Sequence, residues 1–233
     1  MNPINLLFSL IKAAPSLFII ALLLSILSHL RNKSTKSFEK SKQDFWDRER
    51  AANAVRKKDI SNLPYVEIPS EIISCAKDYA DTSDDYANKD NYLNTLESLV
   101  GKKILNLNGK SNTDIKLEYG TANITVLSDA DNNYTELISV LSRLGEAFYD
   151  RDRFDEARHI LEFSVDAESD VVKSYKILMD IYGETMSEAD RDEAIKTLHE
   201  KAEKLNGFRK DAVLALFVSD ENTREATERT DNG

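Results

Sequence analysis

The chain has 233 residues, with 31 Lys and Arg against 41 Asp and Glu and a formal net charge of −10. Its single cysteine, Cys75, excludes an internal disulfide and a cysteine-based structural zinc site, in keeping with a reducing compartment. The seven glycines form no phosphate-cradling loop.

From Ala13 to Leu30 no position carries Asp, Glu, Lys or Arg. As a helix this run is about 27 Å long, close to the apolar thickness of a bilayer. Asn5 to Ile11 is also fairly apolar, so the span can begin earlier with Lys12 reaching toward the interface. A cleaved signal peptide is the competing reading. The run is long, however, no A-x-A site follows it, and basic residues stand on its C-terminal side, so an uncleaved anchor is expected over 1–30, with the helix at about 13–30. Lys12 precedes the span, whereas Arg31, Lys33, Lys36, Lys40 and Lys42 follow it. The excess of basic residues after the span predicts a single-pass plasma-membrane protein with its C-terminal part in the cytosol.

Charge divides unevenly along the rest. Arg31 to Ile60 holds ten Lys and Arg against five Asp and Glu, whereas Ser61 to Gly233 holds 20 basic and 36 acidic residues. The basic stretch suits anionic headgroups, and the acidic part is repelled by them and by nucleic acid, which excludes nucleic-acid binding. Ser37 to Lys58 has helical character, with Phe38, Phe45 and Ala52 seven apart and Trp46 beside them. Its aromatic edge either lies in the membrane interface or packs on the folded domain. The prolines at Pro64 and Pro69 then break the pattern, so 31–69 is expected to be a basic juxtamembrane helix and linker.

The remainder is long enough for one helical domain with its own core. Ser70 is a candidate N-cap for a helix with Ile72, Ile73, Ala76 and Tyr79 on one face. Leu93, Leu96, Val100, Ile104 and Leu107 recur at intervals that predict a second helix over about 89–107, giving a helical hairpin at 70–107. The next stretch, 108–134, is rich in Asn, Asp, Ser, Thr and Gly and is expected to be an irregular connection. A connection that long is either functional or holds a helix.

Leu141 to Phe163 places small and large residues where two short antiparallel helices must touch. Gly145 and Ala157 are the expected close-approach points, with Leu141, Leu144, Phe148, Phe154 and Leu161 around them. This stretch resembles a tetratricopeptide (TPR) repeat opening at Ile138. Ser164 and the lack of a proline near Ser169 depart from the family pattern. A second, degenerate repeat aligns from Val172 through Tyr175, Leu178 and Tyr182. In it Met179 replaces the small residue, and an insertion near Ser187 to Asp190 precedes Ala194 and Leu198. Phe208 to Val218 supplies an apolar helix suited to capping the array. The expectation is thus an all-α fold: an N-terminal transmembrane helix followed by a short TPR-like array of hairpins over 135–219, then a disordered polar tail at 220–233.

The resemblance implies that Ser139, Ser142, Glu146 and Tyr149 of the first repeat face a concave groove, with Lys173, Lys176, Asp180 and Gly183 of the second. It implies a protein or peptide partner, and Ser and Glu in the first repeat depart from the Lys, Arg and Asn with which some relatives grip a C-terminal carboxylate. The acidic domain favours a partner segment with basic and apolar residues. More widely, the chain resembles bacterial single-span proteins that share the anchor, a strap like Arg56 to Tyr65 and a terminal repeat pair, a likeness that implies no activity.

Chemistry of other kinds has little support. His29, His159 and His199 are scattered, and Asp129 to Asn133 starts like a calcium loop but lacks Gly at its sixth position and Glu at its twelfth. The S-x-x-K pairs beginning at Ser9 and Ser37 lack the motifs that accompany an acylating serine. No catalytic, cofactor or metal residue is expected. The function read from sequence is a non-enzymatic, membrane-anchored scaffold for protein–protein interaction, with a structural subunit or homo-oligomer as the alternative.

Overall fold

The computed structural model describes residues 38–84 and 88–231, with residue 25 alone before them. The expected membrane span at 13–30 therefore lies outside the described residues. Among those described, no helix is long and apolar enough to cross a membrane. The chain divides into two compact units, 1–55 and 56–233.

In the first unit, helix α1 covers 38–53. Its sequence is free of Gly, Pro and β-branched residues, and Asp47 accepts hydrogen bonds from Gln43 at 3.1 Å and from Arg50 at 3.2 Å along one side. Every residue from 38 to 48 is exposed, the aromatic ones included, whereas Ala52 near its end is buried.

The second unit is all-helical among its described residues. In order come α2 (Ser70–Thr82), α3 (Lys89–Leu99), α4 (Asn112–Tyr119), a 3₁₀ turn (Thr121–Asn123), α5 (Ile124–Tyr149), α6 (Phe154–Asp166), α7 (Val172–Thr185), α8 (Glu188–Glu203) and α9 (Lys210–Asp231). One core runs through the array, with Tyr79, Leu96, Leu141, Phe148, Leu161 and Tyr175 fully enclosed. Tyr79 meets Tyr92 and Phe148 edge-on, at ring separations of 5.5 and 5.2 Å, so α2, α3 and α5 close on one aromatic cluster.

Three stretches differ from the sequence expectation. The helix expected over 89–107 ends at Leu99, because Gly101 turns the chain at φ +75°. Val100, counted as part of the apolar stripe, is 56% exposed. Beyond the turn the chain is without regular structure: Leu105 donates its N–H to Ala130 O at 3.1 Å, and Leu107 donates to the Asp131 carboxylate at 3.1 Å. Ile104, Leu105 and Leu107 are all buried there, so apolar residues spaced as in a helix are buried without one.

The expected irregular connection holds α4, the 3₁₀ turn and the first turns of α5. Ser111 and Asp114 form a reciprocal capping box, Ser111 Oγ accepting from the Asp114 N–H at 3.2 Å and the Asp114 carboxylate from the Ser111 N–H at 2.9 Å. Gly120 then reverses the chain at φ +87°, where a Cβ would run into the Arg56 carbonyl. That close approach shows that the strap is not a free linker. Lys58 donates its N–H to Tyr119 O at 3.1 Å, and the Asn123 amide donates to Lys58 O at 2.8 Å and Tyr119 O at 2.7 Å. Val66 N–H reaches Ile104 O at 2.8 Å, while Ile60 joins Leu105, Leu107, Ile115, Leu127 and Ala130 in a small separate apolar cluster.

The tail expected to be disordered from 220 continues α9 to Asp231. Asp220 ties that helix back to α8 by accepting two hydrogen bonds from Arg191, at 2.8 and 3.1 Å. Ser70 opens α2 as its first residue, with Pro69 in the capping position.

Candidate partner-binding face

The face begins with the packing of α5 on α6. Gly145 lies directly against Leu161: a Cβ added at Gly145 would stand 2.5 Å from Leu161 Cδ2 and 2.6 Å from Cγ. Ala157 is fully buried in the same hairpin. The two helices approach this closely because one of them has no side chain at the crossing point.

The turn joining them, Asp150-Arg151-Asp152-Arg153, is exposed from Asp150 to Asp152, as its mixed charge suggests, and its two arginines also act as a clamp. Asp152 takes φ +57°, which brings the Arg153 N–H back to Phe148 O at 3.1 Å. Arg151 lies over the Tyr79 ring, 4.7 Å from its centre, donates to the Tyr79 hydroxyl, and donates to Ser83 Oγ at 2.7 Å. Arg153 covers the Phe148 ring at 4.7 Å and pairs with both Glu156 and Asp78, the latter at 2.6 Å. Both arginines thus fasten the hairpin turn to α2. The hydrogen bond from Arg153 holds the Glu156 carboxyl below its ordinary pKa.

Helix α7 lies beside the second half of α5. Ser174 Oγ donates to Ser142 Oγ at 3.2 Å in a buried contact, and Lys173 pairs with Glu146. Of the eight predicted groove residues, Ser142 is only 8% exposed and joins the helices, and Glu146 and Lys173 satisfy each other. Ser139, Lys176 and Asp180 are exposed, and Tyr149 is half-buried. Burial, reinforced by the charge of Asp180 and Glu184, pushes the Tyr149 phenol up. Burial also raises the Asp180 carboxyl, with Asp220 and Glu184 adding repulsion and Lys176 opposing it. Gly183 borders open space, its nearest neighbour being Arg191 Nε at 3.8 Å from a built Cβ.

A cavity of about 490 Å³ opens at the Ser139 end. Ile138, Ser139, Ser142, Arg143, Phe208 and Arg209 are among its walls, and Phe208 is completely exposed. Arg143 and Arg209 carry no expectation from the sequence, and Phe208, expected to open the apolar capping helix, instead precedes α9, which begins at Lys210. Their signal was Gly207, whose missing side chain lets the loop before α9 approach Asp170, where a Cβ would meet the Asp170 carboxylate. A second cavity, of about 390 Å³, is lined by residues of α6, α7 and α8, Tyr182 and Leu198 among them, and by Met186.

Among the described residues no group of three or more His, Cys, Asp and Glu converges as metal ligands would. The Cys75 thiol is half-buried, and burial raises its pKa. What the face offers chemically is hydroxyls, guanidinium groups and one bare phenyl ring around a shallow cavity. No protein-family model, curated protein or solved structure matches the chain.

Proposed function

We propose that the protein is a membrane-anchored adaptor whose TPR-like domain docks protein partners on the cytosolic side of the membrane, along the face made by α5, α7 and the loop before α9. The observation that carries the reading is the order of packing. Gly145 interlocks with Leu161 inside one hairpin, and Ser142 and Glu146 then meet Ser174 and Lys173 of the next. This stacking leaves Ser139, Lys176 and Asp180 exposed on consecutive first helices, as the repeat resemblance implies. The anchor rests on the uncharged run from Ala13 to Leu30, and the orientation on the basic residues that follow it.

Protease treatment of intact cells tests the orientation: the second unit is protected until the membrane is permeabilised, and cleavage from outside overturns the reading. Light scattering of the whole protein in detergent separates adaptor from structural subunit. A monomer accords with an open face, and a stable oligomer favours assembly of copies.

A further inference from the structure

Helix α1 carries three large apolar side chains that are exposed: Phe38 is 67% exposed, Phe45 56% and Trp46 53%. Phe45 and Trp46 meet edge-on with ring centres 5.3 Å apart, so they form one apolar knob. Only Ala52 of this 16-residue helix is buried and every residue from 38 to 48 is exposed, whereas a helix of this length draws most of its stability from packing one face.

A second copy of the helix suits this face poorly. A helix–helix seam needs apolar residues three or four positions from Phe38 and Phe45, and those places hold Ser41, Lys42, Arg48 and Glu49. A lipid surface suits it better. Lys42 lies between the aromatic residues on the same side, where its stem can lie along the apolar layer and its ammonium can reach phosphate. The helix itself balances four Lys and Arg against four Asp and Glu, and the basic excess that complements an anionic headgroup layer flanks it in the chain, at Arg31, Lys33 and Lys36 before and at Arg56, Lys57 and Lys58 after. Phe38 follows Leu30 by eight residues, at most about 29 Å of extended chain, so an anchor ending there holds α1 near the headgroups.

We propose that α1 lies along an anionic bilayer, with Phe38, Phe45 and Trp46 inserted at the level between headgroups and acyl chains. The proposal rests on the membrane-anchor reading, and the test separates the two. Trp46 is the only tryptophan in the chain, so its emission reports on this helix alone. The full-length protein is reconstituted into vesicles of phosphatidylglycerol and phosphatidylcholine and recovered by flotation. The expected result is a blue-shifted Trp46 emission that is quenched by lipid brominated near the headgroup more strongly than by lipid brominated near the chain end. The Phe38→Ser/Phe45→Ser double variant, still floating with the vesicles, loses most of that quenching.

Protein that floats while Trp46 keeps a water-like emission overturns the interfacial helix and leaves the anchor standing. A blue-shifted emission that no brominated lipid quenches also overturns it, because protein then covers the ring. Protein that does not float at all overturns the anchor reading, and the inference with it.

Discussion

Gly145 faces Leu161 so closely that a methyl group on Gly145 would stand 2.5 Å from Leu161 Cδ2, and this pair sets how near α5 and α6 lie. The contact reaches Cγ as well as the tip of the leucine, so rotation about χ2 alone cannot clear it. Gly145→Ala improves helix propensity but overpacks the crossing, and the net loss should be about 1–2 kcal/mol. Denaturant unfolding of the single and double variants with Leu161→Ala measures it. The two substitutions should couple favourably, and simple additivity would mean that the helices separate freely.

Arg153 joins an ion pair with Asp78 to a stack on Phe148. Arg153→Ala should therefore destabilise by about 1 kcal/mol, and Asp78→Asn by less, because the partly exposed ion pair is the weaker share. Thermal unfolding at low and high salt separates the contributions. The Asp78 effect should fade with salt and most of the Arg153 effect should remain.

Ser111 and Asp114 cap α4 reciprocally. Ser111→Ala should lower stability by about 1 kcal/mol and speed amide exchange in Asn112–Tyr119 while leaving α6 unchanged. Hydrogen-exchange mass spectrometry reads both segments in one experiment.

Two carboxyls should give opposite pH responses. Glu156 is lowered in the fold, so its contribution is present above its unfolded value of 4.5 and is lost as pH falls through the folded one. Asp180 is raised, so it opposes folding above its folded pKa, and that penalty is relieved as pH falls toward its unfolded value of 3.8. At neutral pH Glu156→Gln should destabilise and Asp180→Asn should stabilise. Both differences should shrink by pH 4, as measured by chemical denaturation at each pH.

The sequence reading was strongest where residue size decides the packing. Gly145 and Ala157 are legible as the small residues of the hairpin; Gly145 is the point of close approach, against the Leu161 side chain, and Ala157 is buried. It failed where local spacing imitated a helix. Val100, Ile104 and Leu107 keep three- and four-residue intervals, yet Gly101 turns the chain and the last two are buried in irregular backbone. The S-x-x-D at Ser111 was a legible helix start hidden in a polar stretch. The Arg151 and Arg153 clamp could not be read, because its partners Tyr79 and Asp78 lie some seventy residues away. The same holds for Arg143 and Phe208, which meet at one cavity through the fold alone.

The face formed by α5 and α7 is the centre of the account, and site-specific photo-crosslinking in native membranes tests it most directly. A photoreactive residue is placed at Ser139, at Lys176, or at Lys196, which is exposed on α8. Mass spectrometry should find the same partner joined at Ser139 and Lys176 and absent at Lys196. Equal labelling from all three positions, no adduct from the first two, or adducts only to a second copy of this chain would contradict an adaptor that binds through that face.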